Sequence, residues 1–161
     1  MAVDEQLQRM VMGRFATGVT VITTQAGDEK CGMTANAVMS LSLNPSLLVI
    51  SVDKFSHMHS ALLKSNCFAM NVLKKEHESL SRRFAQKGPK DFSDLDCTVA
   101  KTGSPIFENA LAYADCKIVE VLSGGDHDMF IGELLVAESF DGEPLIFYSG
   151  EYASLCNNGA S

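Results

Sequence analysis

The sequence predicts a mainly β fold: an antiparallel barrel with a few helices packed on its outside. Three observations carry this. Short β-branched or apolar runs recur along the chain, several are joined by hairpin-like polar turns, and the helical segments between them are few. The strand–helix alternation of a parallel, doubly wound sheet is missing, and no GxGxxG or P-loop text occurs.

The elements follow in order. Leu7, Met10, Val11 and Phe15 recur at helical spacing, with Asp4 as a cap and Gly18 as the expected end. GVTVITT (Gly18–Thr24) is a strand, and the polar QAGDEK after it is a turn. Cys31 to Leu43 lacks helical periodicity and is closed by Asn44-Pro45; Leu47 to Val52 is a short apolar strand. Ser56 to Lys64 reads as helix, Cys67 to Leu73 as strand, and Lys75 to Gln86 as helix with Leu80 and Phe84 four apart. Lys87 to Phe107 is loop with one short strand around Thr98. Ala112–Leu122 and Met129–Phe140 are long strands joined by Ser-Gly-Gly-Asp, and Leu145–Tyr148 is the last strand. No repeat or linker divides the 161 residues, so one domain is expected over 1–161.

Composition narrows the function classes. The apolar fraction is 46% and the charged fraction 20%, as in an ordinary globular protein, and no apolar run is long enough for a membrane span. The acidic, amphipathic N-terminus does not read as a signal peptide, so a cytoplasmic protein without membrane contact is expected. Five widely spaced cysteines with no CxxC suggest neither a disulfide framework nor a zinc knuckle. Net charge −7 argues against nucleic acid as a partner. Six of the 13 basic residues nevertheless fall between Lys74 and Lys90, either a solvated helix face or the seat of a small polyanion.

Four places can carry chemistry. In Gly32–Ala37 (GMTANA), small residues let a flat ligand approach the backbone while Thr34 and Asn36 offer donors and acceptors; a merely packed hairpin corner fits the same text. Ser51, Ser56 and His57 bracket a helix start, suited to a phosphate or to simple capping. His57 and His59 point to nearly opposite sides of a helix, so no metal site is expected. His127 follows a Gly-Gly-Asp turn, as a solvated residue or facing a cofactor, and no serine sits in a nucleophile elbow.

Five segments in one order resemble a known family: GRFATGVTVITT (Gly13–Thr24), GMTANAVMSLSLNPSLLVISV (Gly32–Val52), RRFAQ (Arg82–Gln86), GDHDMFIGEL (Gly125–Leu134) and PLIFYSGEY (Pro144–Tyr152). From about Met10 to Leu155 the chain resembles the short flavin reductases that serve two-component aromatic monooxygenases. The resemblance implies a six-stranded, Greek-key, flavin-binding split barrel assembled as a homodimer, with flavin near the subunit interface. It implies that Met33, Thr34, Ala35, Asn36 and Ala37 lie along the flavin ring. Ser51, Val52, Asp53, Ser56 and His57 would hold the ribityl chain and phosphate of FMN or FAD. Arg83, Phe84 and Ala85 match another flavin-side segment; His127 and Tyr152 match positions near the nicotinamide of NADH or NADPH. Hydride would pass from nicotinamide to flavin with no side chain as acid or nucleophile, His127 assisting, and reduced flavin would go to a partner monooxygenase. A module that keeps FMN permanently and passes electrons is the alternative; a pyridoxamine phosphate oxidase relative lacks support in these motifs.

Overall fold

The computed structural model describes residues 3–156. Helix α1 (Glu5–Gly13) begins where the Asp4 side chain accepts the Leu7 N–H at 2.7 Å. It stops at Gly13 rather than Gly18, because the Gly13 carbonyl accepts the N–H of Ser149 and the chain then enters a short strand, β1 (Thr17–Gly18). Strands β2 (Thr20–Ala26) and β3 (Glu29–Ala35) form a hairpin turning at Gly27, whose φ of 67° suits a glycine. Strands β4 (Val38–Leu43) and β5 (Ser46–Asp53) form a second hairpin around a cis Asn44-Pro45 bond.

Helix α2 (His57–Ser65) is capped by Ser56, whose hydroxyl accepts the His59 N–H, and is ended by Asn66 in the left-handed conformation. Strand β6 (Cys67–Val72) leads to a 3-10 turn (Lys75–His77) and helix α3 (Glu78–Ala85). In the long loop, β7 (Cys97–Thr98) pairs with β8 (Ile106–Phe107). The long hairpin β9 (Ala112–Gly124) and β10 (His127–Ser139) turns at Gly125-Asp126, tighter than the four residues expected, because Gly124 and His127 still pair. Strands β11 (Ile146–Tyr148) and β12 (Glu151–Ala153) complete a small sheet with β1.

Among the described residues the main sheet has seven strands, in the order β3-β2-β6-β9-β10-β5-β4, all antiparallel. That is one strand more than the six expected, and its edge strands β3 and β4 are not bonded to each other. Yet only Asn36 and Ala37 separate those edges in sequence. The step from Ala35 to Val38 spans at most ~11 Å of chain, whereas a flat sheet of this width would hold its edges roughly 29 Å apart. The sheet must therefore roll upon itself: a barrel in shape with an unbonded seam. The Ser51 N–H donates to the Ala37 carbonyl, which extends the β4–β5 ladder one residue toward that seam.

Among the described residues, two apolar clusters form the core. Ile22, Ile50, Val52, Leu62, Phe68 and Phe130 belong to the first, inside the roll, where α2 supplies Met58, Ala61 and Leu62. Val19, Val21, Leu73, Phe84, Phe92 and Phe107 belong to the second, under α3. Ile22 and Val21 point to opposite clusters, so β2 is buried on both faces. Buried polar groups are paired: the Asn71 amide donates to Val21 O and accepts the Phe107 N–H, and the Asp115 carboxylate accepts from the Thr102 N–H and hydroxyl. No helix among the described residues is long and apolar enough to cross a membrane.

Candidate active site

A cavity of about 400 Å³ opens between β3, the start of α2 and the end of α3 with the loop after it. Its shape follows from local hydrogen bonding. The Asp53 carboxylate accepts the Phe55 N–H at 2.8 Å and the Asp53 carbonyl accepts the Ser56 hydroxyl, which folds the β5–α2 connection into a tight turn. The Thr34 hydroxyl donates to the Ser81 carbonyl at 2.6 Å and ties β3 to α3. A Cβ on Gly32 would lie 2.5 Å from the Phe84 ring, so glycine lets the helix sit directly on the strand.

Of the residues expected from sequence, Met33, Thr34, Asp53, Ser56, His57, Phe84 and Ala85 line this cavity. The Phe84 ring is 1% exposed and packs on Phe92 and Phe107, so it forms the floor more than a contact. A second group lies along the seam and β5. Asn36 is exposed and donates to the Thr17 hydroxyl, Ala37 meets Ser51, and His127 stands opposite Asp53 in the β5–β10 register. Asp53 thus joins this strip to the cavity. Ala35 is buried, its carbonyl accepting the Thr20 hydroxyl. Val52 is fully buried in the first cluster and offers a ligand only its backbone.

Two expected residues lie elsewhere. Arg83 makes a two-pronged pair with Asp94, at 2.7 and 2.8 Å, over a neighbouring concavity of about 250 Å³. That pairing raises the arginine's pKa and holds the Asp94 carboxyl below its usual range. Tyr152 belongs to the small sheet, its hydroxyl 2.7 Å from Ser81 Oγ and its ring under the Arg82 guanidinium. It supports α3 from the second apolar cluster and does not line the cavity with His57.

The cavity's positive charge comes from Lys30, Lys87 and Lys90. Lys87 and Lys90 belong to the basic segment noted in the sequence, whereas Lys30, on β3, carried no sequence signal. Three of the other four basic residues there are drawn away: Lys75 to Glu143, Arg82 to Glu78, Arg83 to Asp94. Lys30 and Lys87 have no ion pair among the described residues. Lys90 donates to the Gln86 and Gly88 carbonyls, and burial lowers its pKa. Such a basin suits a phosphate. Cys31 and His57 approach to 3.6 Å, but burial and then the nearby Glu29 raise the thiol pKa, so the pair is not an activated nucleophile.

A further cluster, also missed from sequence, anchors the β9–β10 turn beside His127. His59 Nε2 lies 2.7 Å from Asp128 Oδ2, and Lys54 donates to Ser123 Oγ and the Gly125 carbonyl, each at 2.7 Å. The His59 contact, with Lys54 behind it, holds the Asp128 carboxyl below its usual range. His59 therefore faces Asp128 while His57 faces Glu29 and Cys31, as their spacing predicts.

Comparison with known proteins agrees with this architecture. The family model described as "Flavin reductase like domain" matches residues 12–155. The chain is 36% identical to the reductase subunit HsaB of a flavin-dependent monooxygenase from Mycobacterium tuberculosis, covering 95% of this chain and 83% of that one. It is 38% identical to the FMN reductase (NADH) SmoA of Agrobacterium fabrum, over 89% and 82% of the two chains. The solved structure of the NADH:FAD oxidoreductase SgcE6 from Streptomyces globisporus superposes with a TM-score of 0.90 at 36% identity, covering 97% and 98%. The chain belongs to the flavin reductase family.

Proposed function

We propose that this chain, as a single domain, catalyses the reduction of free FMN or FAD by NADH and supplies the reduced flavin to a partner monooxygenase. The observation that carries this reading is the lysine-lined cavity at the start of α2, which runs through Asp53 into the strip of Asn36, Ala37, Ser51 and His127. Relatives named as NADH-dependent FMN and FAD reductases and as monooxygenase reductase components support it.

The residues fit a flavin nucleotide. Lys30, Lys87, Ser56 and the start of α2 would hold phosphate, and the small residues 35–37 leave a flat face for the ring. Bound flavin and nicotinamide supply the hydride chemistry between them. The chain's part is to hold the two rings together and keep water out, His127 donating or accepting one hydrogen bond on the nicotinamide side. We place the protein in the cytoplasm, where five free thiols fit a reducing compartment, and as a homodimer with the flavin near the subunit interface.

Steady-state oxidation of NADH, and of NADPH, with FMN, FAD or riboflavin in excess tests this. Turnover is expected to saturate with free flavin. A burst of one equivalent with no dependence on added flavin would instead indicate a module that keeps its FMN.

A further inference from the structure

We propose that Glu29, Cys31 and His57 form a binding site for a divalent cation of the Zn²⁺ class, with one coordination position open to the cavity. This departs from the sequence expectation of no metal, which considered His57 only with His59. The proposal does not depend on which nucleotide the cavity takes.

Glu29 and Cys31 are two apart on β3, so their side chains share one face of the strand. The turn at Asp53–Ser56 swings the first residue of α2, His57, over that face. His57 Nε2 lies 2.9 Å from Glu29 Oε1 and 3.6 Å from Cys31 Sγ, and all three donor atoms lie within 4.8 Å of one another. Around a tetrahedral zinc ion the usual Zn–S and Zn–N lengths put sulfur and nitrogen about 3.6 Å apart, so Cys31 and His57 already stand at that separation. The carboxylate must withdraw by a fraction of an ångström, which its half-exposed side chain permits.

The donor set selects the ion. A thiolate and an imidazole favour Zn²⁺ or Co²⁺ over Mg²⁺ or Ca²⁺, and three protein ligands leave a fourth position vacant. Cys31 and His57 both line the cavity, so that position faces its interior. On binding, the Cys31 thiol gives its proton to solvent, and His57 exchanges its tautomer through solvent, Nε2 losing the proton it shares with Glu29 while Nδ1 takes one up, which frees the Nε2 lone pair for the metal. The Lys64 ammonium, whose field reaches Cys31, opposes the cation but favours the thiolate.

Cobalt titration of the flavin-free, full-length protein tests the site, in a Cys156→Ser background because Cys156 is exposed. One equivalent of Co²⁺ is expected to give the intense visible bands of a tetrahedral ion and a near-ultraviolet thiolate-to-cobalt band, both abolished by Zn²⁺. Cys31→Ser should remove the thiolate band. Glu29→Gln, an exposed change that leaves the fold intact by circular dichroism, should weaken Co²⁺ binding at least about tenfold, the cost of even an outer-sphere partner. No thiolate band in the folded protein, a band that survives Cys31→Ser, or unchanged affinity in Glu29→Gln would each overturn the proposal.

Discussion

Lys30 and Lys87 reach the cavity with no ion pair among the described residues, while Lys90 is spent on two carbonyls of its own loop. They should therefore be separable by ligand. Lys87→Ala is expected to weaken FMN binding by about fivefold, the upper end for one solvent-exposed charge pair, and to leave riboflavin, which has no phosphate, unaffected. Fluorescence titration with both flavins checks this; equal loss for the two would move Lys87 away from the phosphate. Asp128 makes a different prediction. Its carboxyl is held below the usual range chiefly by His59, so it stabilises the fold above the ordinary carboxylate pKa of about 3.9 and loses that contribution as pH falls through its own lower value. Asp128→Asn should melt earlier than the wild type at neutral pH, and the two melting curves should converge in acid. A gap that is constant with pH would show that the ion pair is not what anchors the turn.

At the scale of elements, local text was legible and tertiary pairing was not. Strand β2, the Gly27 turn and the Ser56 cap are set by neighbours in sequence: β2 covers most of GVTVITT but runs on through Ala26, the turn falls within QAGDEK at Gly27, and Ser56 caps α2. Strands β1 and β12 are two and three residues long and exist because β11 lies between them, which no window of sequence reveals. The site divides the same way. The helix start at Ser56–His57 was readable, but Arg83, in the basic segment that reads equally as a solvated face or a polyanion seat, is claimed by Asp94, eleven residues on. Lys30 lies outside the basic segment and joins it only through the packing of α3 on β3. That packing hinges on Gly32. Gly32→Ala puts a methyl 2.5 Å from a ring that is itself buried, so α3 must lift. A destabilisation of about 1–3 kcal/mol is expected, as for other overpacked cores, with weaker flavin binding because Ala85 and Lys87 move with the helix. Chemical denaturation and flavin titration of the variant check both; wild-type values in each would mean that the helix already has room.

For the whole molecule, the surface is as telling as the core. Helix α1 buries none of its residues, leaving Leu7, Met10, Val11 and Met12 exposed; Met39, Leu41 and Leu43 of β4 are exposed as well, Leu43 at 90%. Ile50 and Val52, by contrast, are consumed within the chain's own core, so the apolar surface available to a second copy lies on β4 and α1 rather than along β5. Light scattering is expected to report a dimer, and Leu43→Glu with Met39→Glu a monomer. A wild-type monomer at micromolar concentration with full activity would count against this assembly.

The rolled sheet also governs how the chain reaches its form. Strand β2 must wait for β6, and β5 for β10: Ser51 finds Met129 only after the long stretch between them has been made. Two early hairpins therefore sit with open edges on the emerging chain, and the contacts that reward closure come last. Refolding in roughly milliseconds to seconds is expected, as for other proteins dominated by nonlocal β pairing, and stopped-flow fluorescence would time it. During synthesis, nothing before the β9–β10 hairpin can complete the roll, so the ribosome holds an unfinished sheet until that hairpin has emerged.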